Sequence, residues 1–239
     1  MTHGIKPPTA AKMAVRTAVI LFLFVVVFTG LLSGAYFWTL PTIKAAASEE
    51  KMKLIDDVLP RTSYDNNLLQ DAIELAPAPA LGQHNASTAY RARKDGKTTA
   101  LVFEAVAPDG YAGKIRLLIA VDTDGALLGV RVTQHKETPG LGDYIEPKKD
   151  KNKERPWITQ FNGTQPAAMD ERAWKVKKDG GQFDSVAGAT ITPRAVVGAV
   201  HDSLRFYAAQ RERLLAPEAP ATAGGEGEPT AAQAKGSAS

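Results

Sequence analysis

Cysteine is absent from all 239 residues. The chain therefore has no disulfide framework, thiolate zinc site, iron–sulfur ligation or cysteine nucleophile of its own, and any redox chemistry must ride on another cofactor. Histidine is scarce, and the four present (His3, His84, His135 and His201) show no metal-ligand spacing, so no metal site is expected. An excess of one charge is also missing, with 29 basic residues set against 26 acidic ones. The densest basic stretch, residues 148–155, includes Asp150 and Glu154 and no aromatic until Trp157, which reads as a solvated loop rather than a nucleic-acid surface. No Rossmann or P-loop glycine fingerprint occurs, and neither Ser185 nor Ser203 sits in a nucleophile elbow, so hydrolysis and nucleotide-driven transfer gain no support. No internal repeat of 20 to 50 residues is apparent. What remains is 44% apolar and 23% charged, the composition of one globular domain with extras.

One extra is a long apolar run. Residues 17–43 contain no Asp, Glu, Lys or Arg, and residues 21–28 are all Leu, Phe or Val. About 20 such residues span the hydrocarbon of a bilayer as a helix. Tyr36 and Trp38 fall where amphipathic rings favour the interface, and Pro41 is expected to discourage continuation of the helix. Lys6, Lys12 and Arg16 precede the run with no acid among them, which places the N-terminus (residues 1–16) in the cytoplasm, the span at 17–40 and the rest outside. Ala45-Ala46-Ala47 looks like a signal-peptide cleavage site, but signal cores of roughly 7–15 residues are shorter than this run, which favours an uncleaved single-pass anchor.

Beyond the span, residues 41–97 read as a membrane-proximal helical and loop region. Met52, Ile55 and Leu59 recur at helical spacing and Pro60 closes that helix; a short element is expected in 68–75, then a loop at Pro77, Pro79 and Gly82. A second region, 98–215, opens with β-compatible runs at 98–107, 114–121 and 127–133, the last two joined by the hairpin signal Asp122-Thr123-Asp124-Gly125. Short elements are expected at 157–161 and 173–176. A helix starts with Thr192 as N-cap and Pro193 as first residue, carrying Val197, Val200, Leu204, Tyr207, Arg211 and Leu214 on one side. Residues 216–239 contain no large apolar side chain and read as a disordered tail. The fold class is α+β, with antiparallel strands and flanking helices after a single transmembrane helix.

Two segments combine small residues with polar ones. In Asp184-Ser185-Val186-Ala187-Gly188-Ala189-Thr190 the small side chains let a ligand approach the backbone, and the Thr190 hydroxyl lies near a helix N-terminus, where a phosphate is favoured. Equally, Gly188 could make a turn and Thr190 a local cap. In His135-Lys136-Glu137-Thr138-Pro139-Gly140-Leu141-Gly142-Asp143, Pro and two Gly tighten a loop after a strand, while Glu137 and Thr138 offer hydrogen-bonding groups.

The first segment resembles the Asp-x-x-Ser/Thr-Gly-Ala-Thr motif of the FMN-binding domains found in the G component of the Rnf (Rsx) electron transport complex and the C component of the sodium-pumping NADH:quinone reductase. The second resembles that family's Glu-Thr-Pro-Gly-Leu-Gly loop, and Gly110-Tyr111-Ala112-Gly113 its Gly-Tyr-x-Gly turn, though a purely structural hairpin turn is preferred for those four residues. Ala187 stands where the family usually has Ser or Thr. Agreement runs in family order from the membrane helix to about Leu215. Residues 174–181 and 190–197 bring the chain nearer the Rnf protein.

The resemblance implies FMN held by a phosphoester to Thr190, installed by a separate flavin transferase, with Asp184, Gly188, Ala189, Glu137, Thr138, Leu141 and Gly142 around the cofactor. It implies an electron relay, not a complete enzyme, partnered by the other membrane subunits of a complex that moves electrons between ferredoxin and NAD and couples them to sodium or proton transport. The bacterial inner membrane and a periplasmic FMN domain follow. A flavin-free assembly protein and a standalone exported FMN reductase are the alternatives.

Overall fold

The computed structural model describes residues 10–216. His3, Lys6 and tail positions 217–239 lie outside them. The described residues open with one 49-residue helix, α1 (Ala10–Val58), which contains both the apolar span and the helix expected beyond it. Pro41 lies inside α1 and does not end it. Inside a helix a proline removes one N–H and its ring crowds the carbonyl four residues back, here that of Phe37, at about 3 kcal/mol. The apolar run before it favours helix because unbonded backbone in lipid costs several kcal/mol per group, and Ala45-Ala46-Ala47 with Lys/Glu-rich turns favour helix after it. Just before it, the Thr39 hydroxyl donates to the carbonyls of Ala35 (2.9 Å) and Tyr36 (3.2 Å). The helix stops before Pro60, as expected, and its apolar span is exposed except for half-buried Leu40.

The sheet has five strands in chain order, all antiparallel: β1 (Ala72–Leu75), β2 (Ser87–Lys94), β3 (Lys97–Gly110), β4 (Gly113–Asp122) and β5 (Leu127–Gln134). The last three fall where the apolar runs predict them. In the β4–β5 turn, the Asp122 carboxylate accepts from the N–H of Asp124 and of Ala126, both at 2.8 Å. The short element expected in 68–75 contains β1, and the stretch 41–97, otherwise expected to be helix and loop, also contributes β2. The signal of β2 is weak because Ala89, Tyr90, Arg91 and Ala92 are buried in succession, which erases the alternation of a half-buried strand. The usable cue was Asp95-Gly96, both with positive φ, forming the β2–β3 hairpin.

Both faces of the sheet are covered. One carries the end of α1: Ile55, Val58 and Leu59 pack with Tyr64, Leu68, Tyr90, Val102 and Leu118. Burying Ile55 and Val58 alone is worth roughly 1.5–3 kcal/mol each. Contact here is so close that a Cβ on Gly129 would lie 2.5 Å from the Val58 carbonyl oxygen. The other face carries α2 (Ile191–Leu215) and a series of 3₁₀ turns, with Phe103, Leu117, Ile119, Phe161, Val200 and Tyr207 in the larger core. The α2 stripe is buried at Val197, Val200, Leu204, Tyr207 and Leu214, while the Arg211 guanidinium meets Asp124 at 3.2 Å.

This arrangement fixes a direction. Lys51 of α1 reaches Glu104 in the middle of β3 (3.6 Å), and Val58 lies against Gly129, whose partner Ala120 pairs with Val102 two residues earlier in β3, so α1 approaches from the end of the sheet that holds the β3–β4 hairpin. Helix α2 starts at that same end, where Thr192 meets Glu137, and runs to the opposite end, where the Tyr207 hydroxyl donates to the Asp122 carbonyl (2.8 Å).

Candidate functional site

The site is assembled from three segments that meet at the start of α2. The turn at Tyr111 and Ala112 caps the β3–β4 hairpin, the 135–143 loop leaves β5, and residues 184–190 lead into α2. Between them lies a cleft of about 130 Å³ lined by Tyr111, Glu137, Thr138, Leu141, Gly142, Gly188, Ala189, Thr190, Ile191 and Thr192. Seven of the eight residues singled out from sequence are therefore neighbours. Asp184 is not: its carboxylate pairs with Lys177 at 2.6 Å, while its backbone bonds Gln160 and Trp157. It anchors the 184–190 loop from outside the cleft.

Glu137 is the keystone. It is buried (4% exposed) and both carboxylate oxygens accept: one from the Ala112 N–H at 3.0 Å, the other from the Thr192 hydroxyl. One side chain thus ties the 135–143 loop to the hairpin turn and to the first turn of α2. A buried carboxylate is tolerated because it is so bonded. Thr192, expected as N-cap, instead lies inside α2 with its hydroxyl committed to Glu137, and Pro193 is the third helical residue rather than the first. Gly142 has to be glycine here: a Cβ would stand 2.8 Å from the Thr192 hydroxyl and 2.9 Å from Glu137 Oε2. His135 stays behind the loop. Its Nδ1 accepts from the Glu137 N–H (3.0 Å), leaving Nε2 to donate to Glu146 (3.1 Å).

Thr190 takes the N-cap position but makes no side-chain capping bond, so its hydroxyl is not spent on the helix. The first N–H groups of α2, those of Ile191 and Thr192, have no intrahelical acceptor and give that end its positive polarity. Gly188 holds φ at +86° with open space where a Cβ would point. The turn it makes is supported from below by Tyr144, whose hydroxyl lies 3.4 Å from both the Val186 N–H and the Ala189 carbonyl. Burial pushes the Tyr144 phenol up to about 12, so it stays protonated and able to donate. On the outer side of the first α2 turn, Arg194 forks onto Asp179 (2.5 and 2.6 Å) and holds that carboxyl below its ordinary value.

Outside α1, the exposed large apolar side chains among the described residues are Tyr111, Leu141, Val186 and Ile191, each between 46% and 66% exposed. Three line the cleft and the fourth lies on the loop before Thr190. Apolar surface concentrated around one free hydroxyl, beside a helix N-terminus, suits a planar ring on a phosphate tether. Tyr111 and Ile191 were not singled out as site residues from sequence. The 110–113 turn is a hairpin turn, as preferred, and also a wall of the site.

Residues 110–205 match the family model described as FMN-binding domain, and residues 1–58 match that described as RnfG N-terminal region. The chain is 46% identical over 207 residues to the G component of the ion-translocating oxidoreductase complex of Pseudomonas aeruginosa, covering 87% of this chain and 94% of that protein. The proteins of the same name in Shewanella loihica and Vibrio cholerae are each 40% identical, covering 85% and 83% of this chain and 94% and 92% of their own.

Proposed function

Because this chain belongs to the family of G components of the ion-translocating oxidoreductase complexes, and carries that family's FMN-binding domain and apolar N-terminal helix, we propose that it is the complex's membrane-anchored electron relay, with FMN joined to Thr190 by a phosphoester. The observation that carries the covalent reading is the Thr190 hydroxyl, which forms no capping bond at a helix N-terminus beside the cleft.

The size of the cleft supports a tether. Sites that bind cofactors by contact alone usually enclose about 300–1,000 Å³. A cleft of about 130 Å³ covers too little of a flavin to retain it by burial. A covalent phosphate instead keeps the ring at high effective concentration beside Leu141, Ile191 and Tyr111. The start of α2 stabilises the phosphate charge. Glu137, through Ala112, Thr192 and the close fit of Gly142, fixes the walls, and Thr138 offers a polar contact at the rim. Bound there, FMN supplies the one- and two-electron chemistry that a cysteine-free chain lacks.

A flavin transferase loads the chain outside the cytoplasm, with the N-terminus inside. Partners are the other membrane subunits, and the complex couples electron flow between ferredoxin and NAD to sodium or proton movement. The cleft's position at the end of the sheet from which α1 arrives favours membrane-held partners over soluble ones. The test is co-expression with a flavin transferase, followed by fluorescence of the denatured chain and mass spectrometry of the Thr190 peptide. Flavin on Thr190 that is lost in Thr190→Val supports the proposal; a dark band from cells with an active transferase overturns it.

A further inference from the structure

The face of the sheet that receives α1 changes character along its length. Under the last turns of the helix it is apolar, with Ala100, Val102, Leu118 and Ala120 buried. Toward the membrane end the same strand positions become Glu104 and Val106 on β3 and Lys114 and Arg116 on β4. With Lys51 of α1 and the 82–88 segment, these residues enclose a pocket of about 440 Å³, separate from the Thr190 cleft.

Its lining is basic and short of internal partners. Lys114 and Arg116 are exposed and form no ion pair among the described residues, and Lys51 is shared between Glu104 (3.6 Å) and the Tyr90 ring (4.8 Å). His84 stands at the rim. Three permanent cations against one carboxylate are a donor set for a phosphate group. Packing does not explain it, since neither Lys114 nor Arg116 is buried.

Location selects the source of that phosphate. Lys51 is eleven residues beyond position 40, where the span is expected to end, about 16 Å along a helix. Lys114 and Arg116 lie further toward the β3–β4 hairpin, the end of the sheet from which α1 arrives, which brings the basic wall back toward the headgroup layer, roughly 5–8 Å deep. We infer that this pocket binds the phosphodiester headgroup of an anionic phospholipid, holding the domain, and with it the cleft at the same end of the sheet, in one orientation over the membrane. The inference rests on α1 being the membrane anchor and is independent of whether flavin is attached.

The test is native mass spectrometry of the full chain in detergent, titrated with dioctanoyl phosphatidylglycerol, dioctanoyl phosphatidylcholine or inorganic phosphate. Each basic residue near a lipid surface is worth about 1 kcal/mol, or about fivefold. Lys114→Gln with Arg116→Gln should therefore weaken phosphatidylglycerol binding by about 25-fold, and Glu104→Gln should tighten it. Thermal unfolding of each variant checks the fold. Undiminished binding by the double variant, or equal affinity for phosphatidylcholine, would overturn the site. Equal affinity for inorganic phosphate would assign it to a soluble phosphate and overturn the lipid reading.

Discussion

Thr192 donates its side-chain hydrogen bond to Glu137 across 55 residues of sequence, while Thr190, two positions earlier, makes no side-chain capping bond. Two threonines in nearby positions thus divide the labour, one holding the site together and one left available at its mouth.

That division predicts opposite phenotypes. Thr192→Val strands one oxygen of a buried carboxylate and should destabilise the domain by about 1–3 kcal/mol, with Thr192→Ser restoring most of the loss. Thr190→Val should change stability by about 0.5 kcal/mol or less, yet abolish flavin attachment. Urea denaturation in detergent alongside fluorescence of the denatured chain measures both.

Gly142→Ala places a methyl against the Thr192–Glu137 bond. Overpacking of this kind costs about 1–3 kcal/mol, and the displaced 135–143 loop should cut flavin loading as well. Unchanged loading with lowered stability would remove Gly142 from the cofactor environment.

Gly129→Ala acts on the opposite face. Its methyl would drive the Val58 carbonyl away and loosen the end of α1 from the sheet. Trypsin should then cut faster between Lys51 and Arg61, with little change at Arg194, whose guanidinium is tied to Asp179.

Alkali should unfold the domain through its tyrosines. Tyr144 and Tyr64 are both pushed up to about 12, chiefly by burial, against about 10 in an unfolded chain. Their contribution is fully present below pH 10 and is lost as pH rises from about 10 to 12, because only the unfolded state ionises in that window. Tyr144→Phe should flatten part of this loss, read as stability against pH, with tyrosinate absorbance following unfolding.

The local features of this protein were written in its sequence. An apolar run closed by Tyr36 and Trp38 makes a helix long and apolar enough to cross a membrane, Asp-Gly turns between apolar runs make hairpins, and a stripe at spacings of three and four makes α2. Each depends on neighbours a few residues apart. The Glu137, Thr138, Leu141, Gly142, Gly188, Ala189 and Thr190 segments could also be picked out by composition and resemblance. Tertiary structure decided the rest. Pro41 is carried through because the helix on both sides outweighs the lost bond and the crowding of its ring, and β2 hides because burial on both faces erases its period. Thr192 belongs to Glu137 rather than to a cap, Asp184 anchors a loop through Lys177, Gln160 and Trp157, and Tyr111 and Ile191 complete the cleft. Those outcomes turn on contacts between segments tens of residues apart, which no local pattern encodes.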